Sequence, residues 1–207
     1  MTCDNIKAIF DKEDFTLEEA KKVLTLLKTA ECTNSPLYEK AIKKINKEES
    51  SPARTKELAE LYLKQGKTNS AIKTFKEAIN ESSSNSFKGE IAIDLMNIYN
   101  QKGNKQETRN YGKQAISYGV GNAKVYNTIG NLYMNSLNDC KTEDVVKTRA
   151  IFIAAYEMFK KAGNETKMAK AKEQFPSKQD IFLGTYKEGQ QINTGCWINE
   201  TVTLQAR

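Results

Sequence analysis

Histidine is absent from the 207 residues, which removes the commonest general base and the commonest metal ligand. Arginine is nearly absent: Arg54, Arg109, Arg149 and Arg207 are the only guanidinium groups among 32 basic residues. Planar recognition of phosphate or guanine therefore has little to work with. The net charge of +6 comes from lysines spread along the chain, such as Lys40, Lys43, Lys44 and Lys47. That spacing describes solvated helix faces, and no nucleic-acid partner is expected. Cysteine is scarce too. Cys3, Cys32, Cys140 and Cys196 include no CxxC pair, so zinc-finger and thioredoxin-like sites are excluded. The four are either inert buried thiols or two disulfides, and disulfides require an oxidising compartment.

Long apolar runs are missing as well, so no segment reads as a membrane-spanning helix. Met1 leads directly into "TCDNIKAIF" without a signal-like stretch. Two expectations fit: a cytosolic chain, or a mature segment behind a new start methionine. There is no nucleophile–base pair and no glycine-rich phosphate loop. Neighbouring carboxylates such as Glu18–Glu19 and Glu48–Glu49 sit at helix ends, where they suit dipole and solvation roles. No enzymatic activity, cofactor or metal is expected.

What the chain does contain is a repeat. "LAELYLKQGKTNSAIKTFKEAI" places Leu58, Ala59 and Tyr62 before Gly66, followed by Ala71, Phe75 and Ala78. "LMNIYNQKGNKQETRNYGKQAI" repeats Leu95, Tyr99, Gly103 and Ala115 at a shift of 37. "YNTIGNLY" then carries Tyr126, Ile129, Gly130 and Tyr133, with Tyr133 lying 34 beyond Tyr99. Small residues let antiparallel helices approach while aromatics fill the grooves between them. No single hairpin buries its apolar face alone, so neighbours must stack.

These residues resemble the tetratricopeptide (TPR) repeat, a helix–turn–helix unit. The resemblance implies an all-α fold, a right-handed α-α solenoid of helical hairpins. Departures are Thr55 in place of an aromatic, Thr108 in place of a small residue, and Tyr111–Gly112 with the aromatic one place early. The second helix of that repeat is therefore expected to be rotated or loosely packed. The stretch "ESSSNSFKGE" is expected as the linker that lengthens the 37-residue step. In the third repeat Ala155, Phe159 and Ala162 recur 47 residues after their counterparts, which marks a 13-residue insert. The expectation is a lengthened helix capped by Thr142, with Val146, Ala150, Ile153 and Ala154 inward, and a short loop holding Cys140.

Upstream, Thr16 and Glu19 form a capping box, and Ser35–Pro36 opens a helix with Leu37, Ala41, Ile42 and Ile45 inward. This pair resembles a degenerate repeat. A short helix in "CDNIKAIF" precedes it without a visible partner, which suggests further chain N-terminal to it. Gly163–Asn164 closes the long helix and opens a final one through Phe175. The organisation is then 1–50 for N-terminal helices, 51–175 for three repeats and a last helix, and 176–207 for a non-helical tail. In that tail "CWI-NE-TVTL" reads as two short strands about Asn199–Glu200. Two strands alone are marginal in water, so the tail needs an anchor.

"FPSKQDIF" and "GCWINETVT" in the tail, with "CDNIKAIF" and "AECTNSPLYEKA" upstream, are similar to segments of a family of exported bacterial TPR proteins. Membership implies a periplasmic or cell-surface location; the alternative is cytoplasmic. Four cysteines allow three connectivities, which spacing does not decide. With export implied, the expectation is Cys140 bonded to Cys196, pinning the tail, and Cys3 bonded to Cys32. Trp197 is expected to anchor the tail rather than bind a ligand.

The TPR resemblance also implies a concave groove. It is projected onto Lys56 and Glu60, then Glu90, Asn97 and Asn100, then Lys124, Asn127, Asn131 and Asn135. Asparagine carries donor and acceptor together, so such a row suits an extended peptide backbone; the bland alternative is a solvated, Asn-rich surface. The expected function is a non-catalytic protein- or peptide-binding scaffold. A cytosolic adaptor for chaperones or RNA is the alternative, and an envelope enzyme subunit a more distant one.

Overall fold

Short polar residues ahead of apolar periodic stretches set where the helices begin. Thr16 and Glu19 close a reciprocal capping box at α2 (Leu17–Thr29). Ser35 and Ser51 cap α3 (Pro36–Glu48) and α4 (Pro52–Lys64), each followed by a proline whose missing N–H is no loss in a first turn. Asn104, Asn122 and Asn164 cap α7 (Lys105–Ser117), α8 (Ala123–Met134) and α10 (Glu165–Lys172) in the same way. The structure, a computed structural model, describes residues 2–10 and 14–207. It is mostly helical, with eleven helices and two short strands among the described residues. The chain forms two compact units, Met1–Ile91 and Ala92–Arg207.

In the first unit each helix packs on the next, from α1 (Cys3–Ile9) to α5 (Thr68–Glu81). The helix expected to lack a partner has one: α1 buries Ile6 and rests on α2. On α3 it is Tyr38, with Ala41, Ile42 and Ile45, that is buried, while Leu37 is only partly covered. The link Gln65–Lys67 turns through Gly66 at φ +73, where the Lys67 N–H reaches back to the Tyr62 carbonyl at 2.8 Å. Leu58, Ala59, Tyr62, Ala71, Phe75 and Ala78 are all buried between α4 and α5. Thr55, which replaces an aromatic, is also buried. It accepts from Asn46 Nδ2 at 2.9 Å and donates to Glu81 Oε2 at 2.7 Å, so a hydrogen-bond relay occupies the place of a ring. The expected linker is mostly helical: only Ser82–Ser84 separate α5 from α6 (Asn85–Gln101), because the Ser84 hydroxyl accepts from the Phe87 N–H.

In the second unit, α7 tolerates its irregular sequence by filling the gap from elsewhere. Gly112 lies where Phe75 would be repeated, and a Cβ there would stand 3.0 Å from Ile129 and 3.2 Å from the Met96 sulfur. The displaced aromatic, Tyr111, stacks on Tyr99 at 5.4 Å with rings 6° from parallel. Thr108 is buried and donates to the Asn104 carbonyl at 2.7 Å.

The insert divides between loop and helix. The connection from Asn135 to Asp144 is an irregular loop, and α9 (Val145–Lys161) is capped by Asp144, not Thr142. Thr142 instead bonds to Thr148 one turn into the helix. On α9 Val146, Ala150, Ile153 and Ala154 are buried, but so are Ile151, Phe152, Ala155 and Phe159. A helical segment apolar on every side, as Ala150–Ala155 is, must be covered on every side. Here α8, α10, α11 (Lys178–Leu183) and both strands cover it.

That need explains the tail. It is not free of helix: Ser177 and Asp180 form a capping box for α11, which buries Ile181. The strands are β1 (Gln191–Asn193) and β2 (Thr201–Thr203), paired antiparallel with Ile192 opposite Val202 and both inward. Cys196–Trp197–Ile198 lies in the loop between them, because Gly195, Cys196 and Asn199 all take positive φ values incompatible with a strand.

Gly130 sets how close α8 and α9 come. A Cβ there would stand 2.6 Å from the Phe159 ring. Gly130→Ala is expected to destabilise the protein by about 1–3 kcal/mol of overpacking, more than the ~1 kcal/mol of helix propensity it gains. Urea unfolding checks this; a variant as stable as the parent would show that the ring does not rest on the helix backbone.

Candidate functional site

The expected groove residues fall in both units. In the first, Lys56 and Glu60 pair with each other along α4 at 2.5 Å, and Glu90 is exposed on α6. Near them the structure shows a hollow of about 280 Å³ between Lys28, Tyr38, Glu57 and Lys64, with Leu61 beneath. Lys28 bonds Glu57 at 2.7 Å, and the Tyr38 hydroxyl donates to the same carboxylate. Burial, then that hydrogen bond, pushes the Tyr38 phenol well above its usual range. Nothing in the local sequence around Glu57 marks this contact.

In the second unit, Lys124, Asn127 and Asn131 recur along α8 at helical spacing, and Asn135 is its C-cap. Asn97 is half-buried and Asn100 exposed on α6. Two of the asparagine carbonyls already have partners. Asn127 Oδ1 accepts from Asn164 Nδ2 at 2.9 Å, while its own amide donates to the Ala123 carbonyl. Asn131 Oδ1 accepts from Lys167 Nζ at 3.0 Å. The Asn135 main-chain carbonyl accepts from Lys105 Nζ, which also bonds Asp139 at 2.7 Å. The row thus continues onto α10 through Asn164 and Lys167, residues not anticipated because Asn164 reads locally as a cap.

The tail is held by three kinds of contact. Cys140 and Cys196 are paired at disulfide distance with Cα atoms 5.5 Å apart, and Cys3 and Cys32 likewise at 5.8 Å. Trp197 packs its ring against Tyr133 at 5.9 Å. The third contact is polar and was not foreseen. Glu200 Oε1 accepts from Tyr133 Oη at 2.7 Å and from Arg109 Nη2 at 3.1 Å, and Lys113 closes on the same oxygen. Arg109 Nε also donates to Tyr133 Oη at 3.0 Å. The Thr194 N–H donates to the Glu200 carbonyl and Thr194 Oγ1 accepts from its N–H, so the loop itself orients Glu200.

Burial works to raise the Glu200 carboxyl, but hydrogen bonds from Lys113 and Tyr133 and the Arg109 charge outweigh it and hold it below the ordinary glutamate range. Burial and the carboxylate in turn push the Tyr133 phenol well up. Three donors thus converge on one Glu200 oxygen and fix the tail loop to α7 and α8.

A carboxyl with a lowered folded-state value stabilises above the unfolded value, about 4.3, and loses that stabilisation as pH falls through the lower one. Fluorescence of Trp197, the single tryptophan, is therefore expected to change in a step below that value. Glu200→Gln should abolish the step and cost about 1–3 kcal/mol at neutral pH. An identical acid step in the variant would assign it to another group.

In comparisons with known proteins, no family model matches the chain and no curated protein matches it.

Proposed function

We propose that this chain is a non-catalytic scaffold that binds a protein or peptide through TPR-like hairpins. Its compartment is read as oxidising, periplasmic or cell-surface. The observation that carries the fold part of this reading is the burial of one residue pattern in successive hairpins. Leu58, Ala59, Tyr62, Ala71, Phe75 and Ala78 have counterparts in Leu95 and Ala115, then in Ile129, Gly130, Tyr133, Ala155 and Phe159, each in a core. Small and aromatic residues at these positions are what close helix packing needs, and a stack of such pairs offers a long surface of first helices. Tyr99 departs from the pattern by lying half-exposed against Tyr111.

Within the second unit, the peptide-binding surface is assigned to Asn97 and Asn100 on α6 with Lys124, Asn127, Asn131 and Asn135 on α8. Asn131 keeps an amide NH2 with no acceptor among the described residues, the type of donor an extended peptide carbonyl takes. Lys56, Glu60 and Glu90 form the corresponding assignment in the first unit. The two cysteine pairs support export, because disulfides persist in oxidising compartments. No helix among the described residues is long and apolar enough to cross a membrane.

Crosslinking and affinity capture from a native envelope extract test the surface. The Asn97→Ala/Asn131→Ala variant is expected to retain roughly a tenth of the captured partner, since each lost hydrogen bond contributes about 0.5–1.5 kcal/mol. Equal capture by variant and parent removes the asparagine row from the binding surface. A thiol count on unfolded, non-reduced protein from its natural compartment tests location; none titratable is expected, and four would end the export reading.

A further inference from the structure

We propose that the insert of the third hairpin builds a second binding site, for an extended peptide segment that carries an apolar side chain next to a carboxylate. The site is a hollow of about 270 Å³ between the Asn135–Asp144 loop, the first turns of α9 and the end of α10. Leu137, Val145 and Phe152 give it apolar walls, and Lys141 and Arg149 give it positive charge. Leu137 is 39% exposed and Val145 49%, unusual for large aliphatics in a chain whose other apolar side chains are largely covered. Phe182 and Leu183, at 80% and 69%, lie on neighbouring α11. Of the exposed large hydrophobics among the described residues, only Ile9 lies outside this unit. Leu137, Val145 and Leu183 line two adjoining hollows that share Val145, and such a concentration marks an interaction surface.

Charge chooses the occupant. Arg149 Nη1 donates to the Gln174 carbonyl at 2.9 Å, which holds the guanidinium in place. No other acceptor takes its remaining N–H groups among the described residues, so a planar donor set stands ready for a carboxylate. Lys141 adds a second cation on the same rim. Across Val145 a second hollow of about 250 Å³ has the opposite sign, lined by Glu143, Asp144 and Asp180 beside Leu183. A segment lying over both is thus read in order: carboxylate, apolar side chain, then a cation or amide. Each hollow is the size of one or two side chains, and a surface with three exposed large apolar residues falls short of the ~1,000 Å² that a stable dimer needs. A peptide fits these dimensions better than a second copy of the chain.

The site is also preorganised. Cys140, beside Lys141, is tied to Cys196, and Asp139 is held by Lys105. Tyr186 Oη donates to Asp144 Oδ2 at 2.6 Å at the start of α9. The hairpins α4–α5 and α6–α7, joined through Gln65–Lys67 and Lys102–Asn104, have no equivalent walls. This proposal does not depend on the asparagine row, and it stands if that row binds nothing.

The test is to pan a heptapeptide library displayed on phage against the full chain, against Val145→Lys, and against Lys141→Glu with and without Arg149→Glu. Circular-dichroism melts confirm that each variant is folded; Val145 and Lys141 are exposed, so both single changes leave the core intact. Enrichment of an apolar residue beside Asp or Glu is expected on the parent. Recovery should fall at least tenfold on Val145→Lys, and the charge preference should reverse to Lys or Arg on the glutamate variants. The Asn97→Ala/Asn131→Ala protein, panned in parallel, should enrich the same peptides as the parent, which separates this site from the asparagine row. No enriched motif, or one indifferent to Val145→Lys, overturns the proposal. So does a dimer in sedimentation that Val145→Lys dissolves, since the occupant would then be a second copy.

Discussion

The second unit is organised around one physical constraint: the middle of α9, from Ala150 to Ala155, is apolar and buried all round and has no face to give to water. An ordinary hairpin helix leaves one polar face out. This one has Ala150, Ile151, Phe152, Ile153, Ala154 and Ala155 buried in succession, so helices on two sides are insufficient. The remaining side is closed by Ile192 and Val202 from the two strands, with Ile198 and Leu204 beside them. A two-stranded ribbon that would be marginal alone becomes stable because its inner face lies on a helix that cannot do without it.

Contacts close to one another in sequence were mostly legible; of those between distant residues, the two cysteine pairs were anticipated through the family resemblance and the polar ones were not. The capping box at Thr16–Glu19, the proline after Ser35 and the asparagine cap at Asn164 announce themselves within four residues, although Thr142, read in the same way, gives place to Asp144. The burial of the small and aromatic repeat residues followed from periodicity in the same way. Glu200 carried no such signal: its partners Arg109 and Tyr133 are 91 and 67 residues away, and "NET" reads equally well as an exposed turn. Of the two expected strands, "TVTL" holds β2, but its partner lies at Gln191–Asn193 and not in "CWI". Cys196 and Asn199 take positive φ, which turns "CWIN" out of a strand, and Cys196 is tied to Cys140, 56 residues away. At Ser177–Asp180 a capping box was present but followed Pro176, and six residues are too few to show periodicity.

The insert illustrates how extra residues are absorbed without disturbing a packed pair. Some extend α9 at its start, where Asp144 accepts the Lys147 N–H, and the rest form a loop tied down at Cys140, Thr142 and Asp139. Polar and covalent restraints converge on the same short stretch that the tail contacts. In the chain-entropy description, joining residues 56 apart in sequence contributes about 4 kcal/mol by restricting the unfolded chain. Glu200 adds an orientation that the sulfur link by itself does not impose.

The dependence of α9 on residues 191–204 sets an order for the birth of the molecule. During synthesis α9 leaves the ribosome some thirty residues before the strands that shield it, and folding of domains tracks that emergence. Until β2 arrives, the side of α9 that Ile192 and Val202 will cover is an open apolar surface. The hairpins of the first unit have their partners within reach by then and carry no such debt. Completion of the second unit thus waits on residues 191–204, long after α9 itself has been made.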